Sequence, residues 1–302
     1  MPHKNLKTTK KERPCLLGAH FSIAGGLPKA LFEAADYGCN VLQIFTKNAS
    51  NWRERVIDET EIKAFEAARK KTGIKWIAAH TSYLINLASP NEQKHAMSCR
   101  ALTQELVRAS QLDIPYVVMH PGSHMGEGER FGVMRVAESV DGIFTKNPHL
   151  RTRLLFETTA GQGTSIGHTF EQLAAIISSL DHRERIGICI DTCHMFAAGY
   201  DVRSHGTYQK TVGSLEAAVG LDLIRVIHLN DAKKGLGSRV DRHEHIGEGA
   251  IGIKAFSFFM NDKRFADVPK IIETPKKKNG DDGDRINLDR LKALVLDRIS
   301  SD

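Results

Sequence analysis

The chain has 302 residues, which is enough for one α/β barrel or for about two average domains. With 41% hydrophobic and 26% charged residues it falls in the range of globular proteins, which excludes the disordered, collagen-like and membrane-embedded classes. The formal charge of +6 says little about partners, because five basic residues and one acidic residue lie within residues 1–14. We interpret residues 1–14 as a disordered basic tail, and leave open whether it contacts a polyanion or is simply a solvated terminus.

The cysteines and the apolar runs indicate in which cellular compartment the protein is expected. The five cysteines are scattered and form no CxxC pair, which favours a reducing compartment without a disulfide framework. No apolar run approaches the roughly 20 residues of a membrane span, and the basic N-terminus lacks the apolar stretch of a secretory signal. We therefore expect a cytoplasmic protein, associated with the nucleoid if the source is prokaryotic, and no membrane contact.

Short apolar runs rich in β-branched residues recur along the chain, and most of them end in a histidine or a carboxylate. Near-continuous apolar character is typical of strands that are buried on both faces of a parallel sheet. The predicted strands, in chain order, are residues 16–22, 41–46, 76–82, 116–122, 153–159, 186–194, 224–231 and 270–275.

Amphipathic stretches of helical length lie between these runs. In the last of them, Leu288, Leu291, Val295 and Ile299 follow the spacing of a helix. Gly73 stands where a glycine commonly ends a helix. The predicted helices include residues 27–37, 60–71, 92–112, 170–180 and 288–299.

The residues that end the apolar runs are spaced 26 to 45 positions apart, from His20 to Glu273. A strand–helix–strand unit needs roughly 30 residues, and eight such units fill about 250 residues, the usual size of a (β/α)8 barrel. The sequence therefore predicts an α/β protein, a single-domain (β/α)8 TIM barrel over residues 15–302. An open doubly wound sheet is the alternative, but no glycine-rich dinucleotide fingerprint follows the first strand.

Six of the predicted strands end in side chains that bind metals or transfer protons. In a (β/α)8 barrel the C-terminal strand ends meet at one mouth, where function resides. Buried carboxylates repel one another, so their convergence with imidazoles implies cations between them. The residues at these strand ends are His80, His120, Glu157, Asp191, His228 and Glu273.

Three more candidate ligands lie beside the mouth. His194 follows the sixth strand, and Asp241 and His243 lie on one side of an extended segment after the seventh strand. Mixed histidine and carboxylate ligands suit Zn or Mn, and their number indicates more than one metal ion. Cys189 and Cys193 are interpreted as packing residues of the barrel interior, because no other cysteine supplies the spacing of a thiolate site.

Seven short motifs cover these regions. They are HTSYLINL at 80–87, HPGSH at 120–124, ETTAGQG at 157–163, DTCH at 191–194, HLNDAK at 228–233, GSRVDRH at 237–243 and GEG at 247–249. In order and spacing they closely resemble the endonuclease IV family of apurinic/apyrimidinic (AP) endonucleases. The resemblance extends from about residue 17 to the C-terminal helix.

The resemblance implies a trinuclear zinc site at the C-terminal face of the strands, with Mn²⁺ as an alternative ion at one or more positions. Glu157 would bridge the first two ions. The implied ligands, in metal order, are His80, His120 and Glu157; then Glu157, Asp191, His228 and Glu273; and then His194, Asp241 and His243.

The resemblance also implies the reaction. A hydroxide between the first two metals would attack phosphorus in line, because metal binding lowers the pKa of water towards neutrality. The third metal would stabilise a phosphate oxygen. The implied enzyme is a DNA repair endonuclease of the deoxyribonuclease IV type that acts on double-stranded DNA containing abasic sites. It would cut on the 5′ side, leave a 3′-hydroxyl and a 5′-deoxyribose phosphate, and trim 3′ ends. We expect catalysis to depend on Glu157 and Glu273, and the enzyme to be a monomer.

DNA contacts are implied at positions that match the family motifs. An abasic nucleotide is easily flipped because it has no base to unstack, and Tyr83 and Leu84 match the positions that wedge into the gap. The full implied set is Asn48, Trp52, Tyr83, Leu84, Lys233 and Arg242.

Two positions depart from the family pattern. Ser50 stands where an arginine usually enters the DNA stack, and Arg53 would reach the DNA only from a different direction. We therefore expect DNA penetration to be weaker or differently built. Thr158 stands where asparagine is common beside the bridging glutamate, which would retune a hydrogen bond without removing a ligand.

Two other functions compete with this one. Related xylose-isomerase-like barrels that isomerise or epimerise sugars use a Glu, Asp, His, Glu set, but such an enzyme has no need of the two further ligand groups. A catalytically dead DNA-damage binder would have lost a ligand, and none is missing. The four residues that resemble the sugar-enzyme set are Glu157, Asp191, His228 and Glu273.

Overall fold

The structure, a computed structural model, describes residues 15–296. The tail predicted at residues 1–14 lies outside the described residues. The strands are β1 Leu17–His20, β2 Val41–Phe45, β3 Trp76–His80, β4 Tyr116–Met119, β5 Arg153–Glu157, β6 Ile186–Asp191, β7 Ile224–His228, β8 Asp231–Ala232, β9 His243–Glu244, β10 Lys270–Ile272, β11 Lys277–Lys278 and β12 Asp281–Asp282.

Eight of these strands form the barrel that the sequence predicted. They run parallel and close in the order β1-β10-β7-β6-β5-β4-β3-β2. Two antiparallel pairs, β8 with β9 and β11 with β12, lie in the loops after β7 and β10. The (β/α)8 fold class is therefore confirmed.

Nine α-helices of the described chain connect the strands. No helix within residues 15–296 combines the length and the apolar character that crossing a bilayer requires. The helices are α1 Leu27–Asp36, α2 Glu59–Thr72, α3 Glu92–Gln111, α4 Glu129–Lys146, α5 Phe170–Ser178, α6 Thr192–Ala198, α7 His205–Val219, α8 Ile253–Asn261 and α9 Gly283–Ala293.

The sixth strand is shorter than the apolar run that predicts it. The run covers residues 186–194, but β6 ends at Asp191 and α6 begins at Thr192. The reason is local: the side chain of Asp191 accepts the backbone N–H of His194 at 2.9 Å and so caps the helix. Cys193 therefore lies on a helix and not on the strand.

The last helix begins earlier than its apolar spacing predicts. The prediction was residues 288–299, whereas α9 starts at Gly283 and ends at Ala293. The side chain of Asp282 accepts the N–H of Arg285 at 3.2 Å, and this cap sets the start of the helix. Val295 lies beyond the helix, and Ile299 lies outside the described residues.

The core has two layers, because side chains alternate between the two faces of each barrel strand. Cys189 lies inside the barrel, as predicted. Cys193 packs in the outer layer between strands and helices, so the prediction of an interior position is wrong for this residue. The buried residues inside the barrel are Val41, Ala78, Val118, Leu155, Cys189, Val226 and Ile271.

Candidate metal centre

The C-terminal ends of the barrel strands carry a cluster of histidines and carboxylates. All nine predicted ligands lie in it, in groups whose ligand atoms are within 4.8 Å of one another. The groups are His80, His120 and Glu157; Glu157, Asp191, His228 and Glu273; and His194, Asp241 and His243.

Glu157 is fully buried at the end of β5, and its two oxygens face different neighbours. Oε2 lies 3.0 Å from His80 Nε2 and 3.2 Å from His120 Nε2. Oε1 lies 3.0 Å from His228 Nδ1 and 3.2 Å from His194 Nδ1. The carboxylate thus faces the first group through Oε2 and members of the second and third groups through Oε1, and two oxygens directed to different groups are what a bridging ligand needs.

The ends of β6, β7 and β10 complete the second group. His228 Nδ1 lies 3.3 Å from Glu273 Oε2 and 3.9 Å from Asp191 Oδ2. Both His228 and Asp191 are fully buried. With Glu157, three carboxylates surround one imidazole, and such a concentration of negative charge is stable only with cations nearby.

The third group joins α6 to the segment that leads into β9. His194 Nε2 lies 3.1 Å from Asp241 Oδ2, and His243 Nε2 lies 3.4 Å from Asp241 Oδ1. Asp241 and His243 reach the same point because residues two apart in an extended chain share a side. The two-residue spacing therefore places both side chains as expected.

Backbone carbonyls orient two of the imidazoles. His80 Nδ1–H donates to the carbonyl oxygen of Thr81 at 2.9 Å. His194 Nδ1–H donates to the carbonyl oxygen of Thr158, also at 2.9 Å. A carbonyl oxygen only accepts, so the proton is on Nδ1 and the lone pair of Nε2 points into the cluster. Contacts of this kind hold a histidine ready to bind a metal.

Two ring nitrogens of the third group are buried and unsatisfied. Nε2 of His194 and Nε2 of His243 make no well-formed hydrogen bond to the chain over residues 15–296. His243 Nδ1–H donates to the carbonyl oxygen of Glu273 at 3.1 Å, so its Nε2 carries the lone pair. A buried polar atom without a partner is costly unless a bound group satisfies it. Two imidazole nitrogens and a carboxylate fit a Zn²⁺ or Mn²⁺ ion.

Gln43 on β2 holds two ligands of the second group. His228 Nε2–H donates to Gln43 Oε1 at 2.8 Å, which turns Nδ1 towards the cluster. Gln43 Nε2 donates to Glu273 Oε1 at 2.5 Å. Gln43 is not among the residues that the sequence predicts for the site. Its position inside the apolar run at 41–46 could have marked it, because a polar side chain in a buried strand needs a partner. In the structure its side chain is fully buried.

Asn230 and Thr158 hold the ligands from other directions. Asn230 Nδ2 donates to Asp191 Oδ2 at 2.6 Å, and its Oδ1 accepts the N–H of Glu273 at 2.7 Å. Thr158 Oγ1 accepts the N–H of Asp191 at 2.9 Å. Asn230 is not among the residues that the sequence patterns predict for the site. The departure at Thr158 leaves the ligand set complete.

Opposing charges keep the central carboxylates ionised. Burial by itself would raise the pKa of Glu157, but the imidazoles of His228 and His120 hold it well below its usual range. Burial would likewise raise the pKa of Glu273, and His228 and His20 hold it well below the usual range. Both carboxylates are therefore available to bind cations at neutral pH.

Two thiols border the cluster more closely than a packing role predicts. Cys189 Sγ lies within reach of the ligand atoms of the second group, and Cys193 Sγ within reach of Asp191 and His243. Burial raises the pKa of the Cys189 thiol to about 12. A thiol that remains protonated is a poor ligand, so the carboxylates and imidazoles dominate the site.

The residues implied to contact DNA lie on loops around the cluster. Tyr83 is 74% exposed and Trp52 is 37% exposed, whereas Leu84 is partly buried. The loop after β2 carries Asn48 and Trp52, the loop after β3 carries Tyr83 and Leu84, and Lys233 and Arg242 lie between the start of β8 and the start of β9.

Ser50 lies exposed in the loop after β2. Its Oγ donates to Asn48 Oδ1 at 2.6 Å, and its N–H donates to the same oxygen at 2.9 Å. The short side chain is thus bonded back onto the loop. Position 50 therefore offers no group long enough to enter a DNA stack.

The chain is similar in sequence to a family profile and to named bacterial proteins. A family profile described as xylose isomerase-like TIM barrel matches residues 31–294. The probable endonuclease 4 of Chloroflexus aurantiacus is 48% identical over 278 residues, which cover 92% of this chain and 97% of that protein. The probable endonuclease 4 of Geobacter sulfurreducens is 46% identical over 286 residues, which cover 95% of this chain and 96% of that protein.

Solved structures also align with the chain over most of its length. Endonuclease IV from Thermus thermophilus aligns with a TM-score of 0.82 at 36% identity and covers 93% of this chain and 98% of that chain. A D-tagatose 3-epimerase-like protein aligns with a TM-score of 0.67 at 19% identity and covers 92% of this chain and 96% of that chain. The second likeness concerns the fold alone.

Proposed function

The chain belongs to the endonuclease IV family of the xylose isomerase-like TIM barrels, and we propose that it is a zinc-dependent AP endonuclease of DNA repair. It cuts the phosphodiester on the 5′ side of an abasic site in double-stranded DNA, leaving a 3′-hydroxyl and a 5′-deoxyribose phosphate, and it trims 3′ ends. The observation that carries the proposal is the set of three adjoining ligand groups, two of which share Glu157.

Each ligand group would hold one zinc ion, and Mn²⁺ suits the same donors. Bound ions of this kind polarise the phosphate and activate water for in-line attack. The count of three is supported by three separate donor sets and by the unsatisfied ring nitrogens of His194 and His243. The third set is the feature that supports three ions rather than two.

We assign catalysis to Glu157 and Glu273 because both lie at the centre of the cluster. Glu157 divides its two oxygens between the first and second groups and so sets the distance between them. Glu273 is held by Gln43 through its side chain and by Asn230 through its backbone N–H. This bracing keeps the carboxylate in place during turnover, when the charge on the substrate changes.

Selectivity for damaged DNA follows from the loops around the cluster. An abasic nucleotide leaves the helix at low cost, because no base is unstacked or unpaired. Tyr83 projects from the loop after β3 with most of its side chain exposed, and fills the gap together with Leu84. The exposed side chains of Lys233 and Arg242 contact phosphates and position the duplex.

A sugar isomerase or epimerase is the second candidate, and the second ligand group is the observation that favours it. Glu157, Asp191, His228 and Glu273 lie together as one four-residue site. The first and third groups argue against this function, because a single-metal sugar enzyme has no use for them. The DNA repair function therefore accounts for more of the site.

Metal removal tests the proposal. Purified protein should contain about three metal ions per chain by elemental analysis, one for each donor set. An oligonucleotide duplex with a single abasic analogue should be cut by the zinc-restored protein and left intact after metal depletion. A content of one metal per chain would contradict the trinuclear site. Epimerisation of a ketosugar without cutting of the duplex would favour the second candidate.

A further inference from the structure

The loop that follows β2, residues 46–57, is weakly packed against the rest of the protein. Most of its side chains are exposed, and Val56 is 90% exposed. One cleft lies between α3 and the side chains of Trp52 and Glu54, and a second is lined by residues of the loop itself, between positions 48 and 56. Apolar burial is confined to Ala49 and Ile57. Polar contacts must therefore determine where the loop lies.

A buried arginine on α3 makes several of these contacts. Arg108 is only 1% exposed. Its Nη1 donates to Glu54 Oε2 at 2.7 Å and to the carbonyl oxygen of Arg55 at 3.3 Å. Its Nε donates to Thr46 Oγ1 at 3.0 Å. One guanidinium thus joins α3 to both ends of the loop.

Arg108 has a buried counter-charge that does not belong to the loop. Glu105, one turn earlier on α3, is 2% exposed, and its Oε2 lies 3.0 Å from Arg108 Nη2. The same oxygen accepts a hydrogen bond from Thr46 Oγ1 at 2.5 Å. A buried guanidinium needs one such partner. Glu105 therefore stays as a buried counter-charge beside Arg108 when Glu54 is changed, and the contacts with Glu54 and Arg55 are those that join the guanidinium to the second half of the loop.

The two halves of the loop are held by different residues. Lys47 Nζ donates to the carbonyl oxygen of Asn51 at 2.6 Å, and Ser82 Oγ donates to the carbonyl oxygen of Ala49 at 2.5 Å. These contacts hold the first half. The second half is held by the contacts of Arg108 with Glu54 and the Arg55 carbonyl, and by the ion pair of the Arg55 side chain with Glu61 on α2. A change at Glu54 should therefore loosen the second half without disturbing the first.

We propose that Arg108 is a positioning residue for substrate binding: through Glu54 and the Arg55 carbonyl it holds residues 46–57 where Trp52 meets the DNA. The inference rests on the proposed function, because DNA is taken as the ligand. With Ser50 in place of a long side chain, this loop contributes through its fixed position and not through penetration. Substrate affinity then depends on a contact on the far side of the loop from the DNA.

The test uses substitutions at Glu54, whose side chain is 39% exposed and whose loss leaves Arg108 beside Glu105. Glu54→Ala removes an acceptor for Arg108 and should raise the KM for the abasic duplex about fivefold, which corresponds to the loss of one partly exposed ion pair. The kcat and the zinc content should stay unchanged. Glu54→Gln removes the same charge but keeps an acceptor, and should retain a KM near that of the wild type.

The direction of the change in KM distinguishes the loss of the loop contact from a general effect of charge on DNA binding. Removing a negative charge near DNA would by itself lower KM, and would do so equally in both variants. Glu59→Ala is the matched control, because Glu59 is 87% exposed at the start of α2 and pairs only with exposed Lys63 among the ion pairs of the described chain. It should leave KM unchanged.

A second measurement needs no DNA. The chain has two tryptophans, so the Trp76→Phe background reports on Trp52 alone. In that background Glu54→Ala should shift the Trp52 emission to the red and increase its quenching by acrylamide, whereas Glu54→Gln should not. Unchanged Trp52 quenching would overturn the proposal, as would increased quenching without a rise in KM. If wild-type protein fails to cut the abasic duplex, the proposed function fails, and the quenching series still shows separately whether Glu54 holds the loop.

Discussion

The ligand cluster and the loop at residues 46–57 lie at the same mouth of the barrel but are stabilised in opposite ways. Glu157, Asp191 and His228 are fully buried, and hydrogen bonds from neighbouring strands and loops fix their directions. The loop is largely exposed, and a few polar contacts from Arg108 and Lys47 hold it.

The difference follows from what each region has to do. Metal ligands need positions fixed to a fraction of an ångström, and strand ends in a closed sheet supply them. The loop after β2 needs a defined position, but one set less finely than that of a metal ligand, and a few polar contacts are enough to hold it. We therefore expect substitutions in the cluster to change the rate and the metal content, and substitutions in the loop to change affinity.

The largest effect is expected for Glu273→Gln, which removes a ligand charge from the second group. Cleavage of the abasic duplex should fall by more than about a hundredfold, beyond the 10- to 100-fold typical of residues that only orient a ligand. The circular dichroism spectrum should not change. Glu184→Gln, on the outer surface, is the control for charge removal and should cut normally. A Glu273→Gln enzyme with the wild-type rate would show that this carboxylate is not a ligand.

An intermediate effect is expected for Gln43→Leu. The substitution keeps the shape but removes the hydrogen bonds to His228 and Glu273, so zinc affinity in chelator competition should fall about 10- to 100-fold. Gln111→Leu, at the exposed end of α3, should leave zinc affinity unchanged. Equal affinities in the two variants would mean that Gln43 does not position the ligands.

The smallest effect is expected for Ser50→Arg, which restores a long cationic side chain to the loop. Binding to an abasic duplex should tighten about three- to tenfold through one added stacking or cation–π contact, with zinc content unchanged. Ser50→Gln, of similar length but uncharged, separates charge from size. Unchanged or weaker binding by Ser50→Arg would contradict the explanation given for this departure.

The sequence could predict that the nine candidate ligands lie together, because the position of each at the mouth depends on a local pattern. Apolar runs mark the strands, the residue that ends each run points to the mouth, and a barrel brings all such ends together. The two-residue spacing of Asp241 and His243 indicates a shared side for the same reason. Helix starts were harder to predict, since a cap such as Asp282 forms a bond that apolar spacing does not reveal.

The contacts that join distant segments could not be predicted in this way. Gln43 and His228 are 185 positions apart, and Arg108 and Glu54 are 54 positions apart. The apolar run around Gln43 indicates that this residue is buried, but nothing in the sequence indicates that His228 is its partner or that Glu54 is the partner of Arg108. The eightfold strand pattern and the residues that end its strands were sufficient to predict the fold and the position of the candidate ligands. Only tertiary packing decided which polar side chains hold the candidate metal ligands and the loop at residues 46–57. A buried hydrogen bond depends on how close two atoms come in space and not on their separation along the chain.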